Sequence, residues 1–450
     1  MNSKTKNMTQ GKPAVLMLAF ALPLMAGNIF QQLYTVVDTM IVGKALGVDS
    51  LAALGAADWL NWMMLGIVQG FAQGFAIRMS QEFGAGDMAG LRRTVGCSTG
   101  LALMFSVLLV AIGQLIAEPV LTLLQTPGEI MPNTLLYLRI MFAGMPIVMA
   151  YNLLASILRS LGDSRTPLYA MVLASVTNIV LDLLFVLGFR WGIAGAAIAT
   201  LIAQVVSCIF CLYYIRKIEF LKLKRADFKL TGQLCGRLLG LGFPMAFQNA
   251  IIAIGGMIVQ FVVNGCGVIF IAGYTATNKM YGLLEVAAVS YGYAVATYVG
   301  QNLGAGKIKR IREGMRAALG VALLTSVVIA VVMLLLGKPI LNGFLSGTPE
   351  EVAEALKVAY HYLVVMGVCL PILYLLHVVR SAIQGVGNTL LPMLSGIAEF
   401  VMRTAGALLL PAVMGNSGIF YAEVSAWIGA DIVLVISYFF VMRRLAEKEE

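Results

Sequence analysis

Two aspartates stand where a carboxylate is costly: Asp38, inside an apolar run that spans about 13–43, and Asp182, inside another at 166–189. An ionised carboxylate at the middle of a membrane helix costs about 2.5–3.5 kcal/mol on insertion scales, so each marks a functional position. Asn178 precedes Asp182 by four residues and shares its helical face. Such a face can present oxygen ligands. A hard cation such as Na+ prefers oxygen donors, and two acids brought together in a low dielectric cannot both stay bare, so a proton serves equally. This chemistry is cation exchange, and the chain offers little for bond-making. It holds only His361 and His377, without HExxH or GxSxG. Gly304-Ala305-Gly306-Lys307 imitates the end of a phosphate-binding loop, but Gln301 stands where the first glycine belongs and Ile308 where Ser or Thr must hold magnesium. No enzyme and no cofactor are expected.

A second polar set lies later in the chain: Lys279 and Glu285 in one apolar run, Glu399 and Arg403 in another, and Glu423 and Asp431 in the last. Glu399 and Arg403 are four apart, which favours an ion pair within one helix with a structural or gating role. The seventh and tenth runs offer Gln248, Asn249, Gln260 and His377 but no core carboxylate, so no second coupling site is expected there. The six cysteines are scattered and read as small packing residues, including the Cys208 and Cys211 pair. Met141, Met145 and Met149 recur at helical spacing and fit either interhelical packing or an adaptable cavity wall.

The elements that must position these residues follow from composition. At 60% hydrophobic and 12% charged, with a mean hydropathy of +0.89, the chain lies far from soluble proteins, which are about half apolar and a quarter charged. A span takes roughly 20 apolar residues. Runs near 13–43, 51–80, 93–117, 133–159, 166–189, 193–215, 234–263, 268–300, 314–336, 354–380, 391–412 and 418–442 give an all-α polytopic membrane protein with twelve transmembrane helices. The net charge of +9 is a matter of topology. Most of the basic residues fall in alternate connections, among them Lys4, Lys6 and Lys12 at the start, Arg216 to Lys229 in the middle, and Arg443, Arg444 and Lys448 at the end. The positive-inside rule then puts both termini in the cytoplasm of an inner-membrane protein. The first run resembles a signal peptide at its start but continues through Pro23 without a cleavage site and is read as retained. No nucleic-acid motif accompanies the charge; the basic connections face anionic headgroups.

The chain also repeats itself. QEFGAGDMAGLRRTVG from Gln81 returns as QNLGAGKIKRIREGMR from Gln301, Pro23 returns as Pro244, and Gly162 with Pro167 return as Gly387 with Pro392. Six spans per repeat is even, so the repeats are parallel, forming two six-helix bundles related by a pseudo-two-fold axis along the membrane normal. The expected division is an N-terminal lobe at 1–215, a basic cytoplasmic linker at 216–232 and a C-terminal lobe at 233–450. Two such bundles around a cleft suit alternating access. The acids are not duplicated: Val259 and Ala407 occupy the positions equivalent to Asp38 and Asp182, which confines the cation site to the N-terminal lobe. Pro23 is expected to kink the helix of Asp38 and so couple ion binding to bending.

PLMAGNIFQQLYTVVDTMIVGKALGVDSLAALG from Pro23, the two GAG loops, LRSLGDSRTP from Leu158 and NIVLD from Asn178 resemble the multidrug and toxic compound extrusion (MATE) family over essentially the whole chain, most closely its DinF-like branch. The resemblance implies H+- or Na+-coupled efflux of amphiphilic, often cationic compounds by a monomer. It also implies that Tyr34, Tyr137, Asn152 and Thr200, with the Ala196 carbonyl, join Asp38, Asn178 and Asp182 in one network, and that Na+ would sit at Asp38, Asn178, Asp182 and Thr200. The alternative within the wider superfamily is a lipid-linked oligosaccharide flippase, which would need several unpaired basic residues for a pyrophosphate. Apart from basic residues within a turn or two of the run ends, the spans contain only Lys279 and Arg403.

Overall fold

The computed structural model describes residues 5–345 and 347–447; Lys4 and Lys448 of the basic inventory lie outside them. Among the described residues there are helices and connections but no strand. The helices are α1 (Pro13–Leu46), α2 (Val48–Ala85), α3 (Met88–Leu123), α4 (Met131–Ala143), α5 (Met145–Ser160), α6 (Arg165–Asp182), α7 (Gly192–Arg216), α8 (Gly232–Asn264), α9 (Val268–Gly304), α10 (Ile308–Phe344), α11 (Pro349–Gly385), α12 (Leu390–Met414) and α13 (Phe420–Ala446). Nine stretches among the described residues are long and apolar enough to cross a bilayer, one of them, Leu390–Ala446, holding both α12 and α13. The fourth expected span is a bent pair: α4 and α5 meet at Gly144 with a 50° change of direction, just before Pro146. With α2 they complete twelve spans. The fifth also departs from a plain helix, because α6 continues as a π-helical turn over Leu183–Gly188.

Packing divides the chain into two units. The first holds Leu22–Ala250 together with the residues up to Thr9; the second holds Ile251 onward together with Gln10–Ala21. Measured against a division at the basic connection, the units exchange segments: the opening turns of α1 pack in the second unit, and α8 up to Ala250 packs in the first.

The repeat is visible in packing as well as in sequence. In α3 the buried stripe includes Ala102, Ser106, Ala117 and Leu121, and in α10 it includes Ala322, Ser326, Gly337 and Leu341, the same positions 220 residues on. Ser106 donates to the Leu103 carbonyl at 2.8 Å and Ser326 to the Leu323 carbonyl at 2.7 Å. The opposite faces carry exposed Leu103, Val107 and Leu115 in α3 and Leu324, Val328 and Leu335 in α10. Small residues inward and large aliphatics outward is the pattern of a helix whose outer solvent is lipid. The loops that precede α6 and α12 match too. Gly162 and Gly387 both take positive φ, 78° and 95°, and Asp163 and Asn388 then accept from the backbone amides three residues on, Thr166 and Leu391.

Within the first unit, α2 and the first half of α8 meet along Gly66, Gly70 and Gly74, glycines at four-residue spacing. A side chain at Gly70 would run into the backbone of Ala246, and one at Gly74 into the backbone of Gly242. At the same seam Asn249 Nδ2 donates to the Gly66 carbonyl at 2.8 Å. Backbones that approach this closely gain dispersion contacts that lipid cannot supply, which is how small residues drive helix association in a membrane.

Candidate cation-exchange site

The site belongs to the first unit and is built on α6 and α7. Asp182 is the last residue of α6, 0% exposed, and Asn178 one turn earlier is 1% exposed. Their shared face points at α7, where Thr200 receives the Asn178 amide at 3.4 Å and itself donates to the Ala196 carbonyl at 3.1 Å. The α6–α7 turn holds this register. Trp191 N–H donates to the Phe185 carbonyl at 2.9 Å, the Phe185 and Trp191 rings stack at 4.8 Å, and Gly195 lets α7 close on Phe185. The π-helical turn falls immediately after Asp182; such turns are frequent at functional sites because the widened helix re-aims the side chains beside it.

Asp38 comes from α1, and its carboxyl group and that of Asp182 are mutual electrostatic neighbours. Asp38 Oδ1, both carboxylate oxygens of Asp182 and Asn178 Oδ1 are buried and receive no hydrogen bond from another residue among those described, while the two carboxyls lie close enough to share one hydrogen bond once one of them is protonated. Each unmet polar atom costs about 1–3 kcal/mol, more when charged, so the group calls for a cation, protons or ordered water. Oxygen-only donors of this kind suit H+ or Na+. Tyr34 and Tyr137 both lie within the electrostatic reach of Asp38 and Asp182.

A cavity of about 40 Å³ adjoins the site, lined by Gln31 and Tyr34 of α1, Tyr151 of α5, Met171, Ala174, Ser175 and Asn178 of α6, and Thr200, Ala203, Gln204 and Ser207 of α7. It has room for a few waters, and polar partners to hold them. Asn178, Thr200 and Tyr34, three of the residues expected at the cation site, therefore also line this cavity. Asn152 is not among the lining residues: its amide donates to the Val148 carbonyl of its own helix at 2.9 Å, and the neighbouring Tyr151 faces the cavity instead. One residue along a helix turns a side chain by about 100°. Pro23 lies inside α1, two residues past Ala21, where that helix passes from one packing unit to the other. Gln31, Tyr151 and Gln204 are not among the residues expected from sequence, nor is Asp58 of α2, which is an electrostatic neighbour of Tyr137. Asp58 carried the same signal as Asp38, a carboxylate in an apolar stretch; the others are uncharged and gave none.

The polar set of the second unit is larger than a pair. Glu399 receives Arg403 at 2.9 Å within α12, as its spacing implies, but it also receives Arg380 of α11 at 2.7 Å. Arg403 in turn reaches Glu423 of α13 at 2.9 Å and the Ile252 carbonyl at 3.3 Å. The expected Glu399–Arg403 pair is present and forms the middle of an alternating row, Arg380, Glu399, Arg403, Glu423, across three helices. Glu285 of α9 meets His377 of α11 at 3.3 Å. Lys279 is exposed and stands apart from this row.

The family model described as MatE matches residues 23–184 and 244–409, one segment in each repeat. The probable multidrug resistance protein YpnP of Bacillus subtilis is 30% identical over 425 residues, covering 92% of each chain. The probable multidrug resistance protein YoeA of the same species is 28% identical over 92% of this chain and 87% of its own. Among solved structures, one described as the outward-facing conformation of a multidrug resistance MATE family transporter of the MOP superfamily superposes with a TM-score of 0.90 at 22% identity, over 99% of this chain and 100% of that one. With both repeats matched and relatives aligned nearly end to end, the chain belongs to the MatE family, multi-pass membrane transporters rather than enzymes.

Proposed function

We propose that this protein exports small amphiphilic compounds, many of them cationic, in exchange for H+ or Na+ held between Asp38 and Asp182, by alternating access in the inner membrane with both termini cytoplasmic. The observation that carries this reading is the set of buried acceptor oxygens of Asp38, Asn178 and Asp182 that receive no hydrogen bond from another described residue, beside a polar cavity. In the neutralised state the two carboxyls lie together and the Asn178–Thr200–Ala196 chain can close around the cation. In the bare state they repel, and α1 is the element free to respond through Pro23. Drug export and ion entry are then opposed because both depend on the charge of one pair. A single chain suffices, since the exchange site is completed within one unit.

The deciding experiment is efflux of a fluorescent organic cation from proteoliposomes with Na+ and pH gradients imposed separately. Either gradient alone should drive uphill efflux, and Asp38→Asn should abolish that drive while the protein still inserts and purifies as a single species. Uphill efflux by Asp38→Asn with unchanged ion dependence would refute the site.

A further inference from the structure

One charged group of the second unit is left over once the alternating row is counted. Asp431 of α13 is 7% exposed, and neither carboxylate oxygen has a partner among the described residues. Close approach of Gly429 to Met402 and the Ala398 carbonyl sets the register of α13 on α12 and brings Asp431 level with Glu399. Its electrostatic neighbours are Arg380 of α11 and Glu399 of α12. Arg380 is itself incompletely satisfied: one amino group serves Glu399 and Ser395, at 2.7 and 3.4 Å, while its Nε is buried and unpartnered. Two orphan acceptor oxygens and one orphan donor thus share a neighbourhood.

Of the charged groups in this cluster, Arg380 on α11 and Glu399 on α12 act on Asp431 directly; Arg403 on α12, Glu423 on α13, and His377 on α11 with Glu285 of α9 are engaged in ion pairs of their own. Arg380 and Arg403 balance Glu399 and Glu423. An ionised Asp431 would be uncompensated in a low-dielectric interior, an arrangement proteins avoid.

We propose that Asp431 is a second exchangeable proton site, confined to the second unit, with Arg380 as its switching counter-charge. With Asp431 protonated, Arg380 holds Glu399, as in this structure. When the Asp431 O–H bond breaks and the proton passes to water, Arg380 turns its unused donor edge to the new carboxylate. Glu399 tolerates this because Arg403 still binds it at 2.9 Å, and Arg403 still binds Glu423. Both arginines stay charged throughout, so the cluster changes by one proton and one unit of charge. This site lies outside the Asp38–Asp182 pair and does not depend on it.

The test uses purified protein without substrate or gradient, in an Asp38→Asn, Asp182→Asn background that silences the first site. Infrared difference spectra across a pH titration should still lose one protonated-carboxyl band on alkalinisation. Asp431→Asn should remove that band. Arg380→Gln should move its midpoint upward by about one pH unit, since the cation that stabilises the carboxylate is gone. A band that survives Asp431→Asn, or a midpoint indifferent to Arg380→Gln, would overturn the assignment. Should Asp431→Asn fail to fold, Asp431→Glu keeps the acid and must change the midpoint of the same band; an unchanged midpoint again counts against the site.

Discussion

At the scale of single residues, the ion site makes a graded set of expectations. Asn178→Ala deletes one oxygen ligand and the amide that steadies Thr200, but no acid. A charge-assisted contact is worth about 1.5–3 kcal/mol, so the ion concentration for half-maximal exchange should rise about tenfold or more while uphill efflux survives. Asp38→Asn should lose the drive altogether. Measuring both in one reconstituted assay separates a ligand from an exchanging acid, and equal loss in the two variants would count against that distinction. Which of these residues can be read from sequence follows from what each costs in a membrane. Asp38, Asp182 and Asn178 were legible because a carboxylate in a long apolar run has no inexpensive explanation, and a helical period ties the amide to it. Gln31, Tyr151 and Gln204 were not, because a neutral polar side chain in such a helix is commonplace as interhelical packing. Thr200 and Ala196 came from family resemblance alone, and only the α6–α7 packing joins them to Asn178.

At the scale of elements, the alternating row across α11, α12 and α13 predicts non-additive mutants. Arg403→Leu strands Glu423 and weakens the hold on Glu399, and breaking a buried pair on one side costs about 3–5 kcal/mol. Removing Glu399 as well should not restore stability, because Glu423 is still left without Arg403; thermal unfolding in detergent reads this, and a double variant as stable as the parent would argue for an isolated pair. The α2–α8 seam gives a second expectation. Gly70→Val and Gly74→Val place side chains against backbone that cannot yield, costing at least the 1–3 kcal/mol of overpacking, and should reduce the yield of monodisperse protein. Gly236→Ala, where nothing lies within 4 Å, is the matched control and should leave the yield unchanged. Span positions were legible because apolar length is a hard requirement of the bilayer. The 50° bend at Gly144 and the π-helical turn after Asp182 were not, since both answer to the neighbours a helix packs against.

At the scale of the whole molecule, the twelve spans and the duplication came from pattern alone, whereas the exchange of segments between packing units did not. Pro23 and Pro244 mark equivalent positions in the repeats, but nothing local says that Gln10–Ala21 joins the second unit and the start of α8 the first. Single-cysteine labelling on a cysteine-free background should find Lys224 reactive only from the cytoplasmic side; reaction from outside would invert the topology. The leftover acid of the second unit bears, finally, on what the membrane voltage can do. Trading one monovalent ion at Asp38 and Asp182 for one monovalent organic cation moves no net charge, so voltage would neither help nor hinder it. Were the proton taken up by Asp431 to enter with each cycle, the cycle would carry one positive charge inward. The resting potential then adds about 2.3 kcal/mol per 100 mV to the drive, roughly fiftyfold in attainable drug gradient. Collapsing the potential with a potassium ionophore while holding pH and Na+ constant should therefore slow efflux by the wild-type protein and leave Asp431→Asn indifferent.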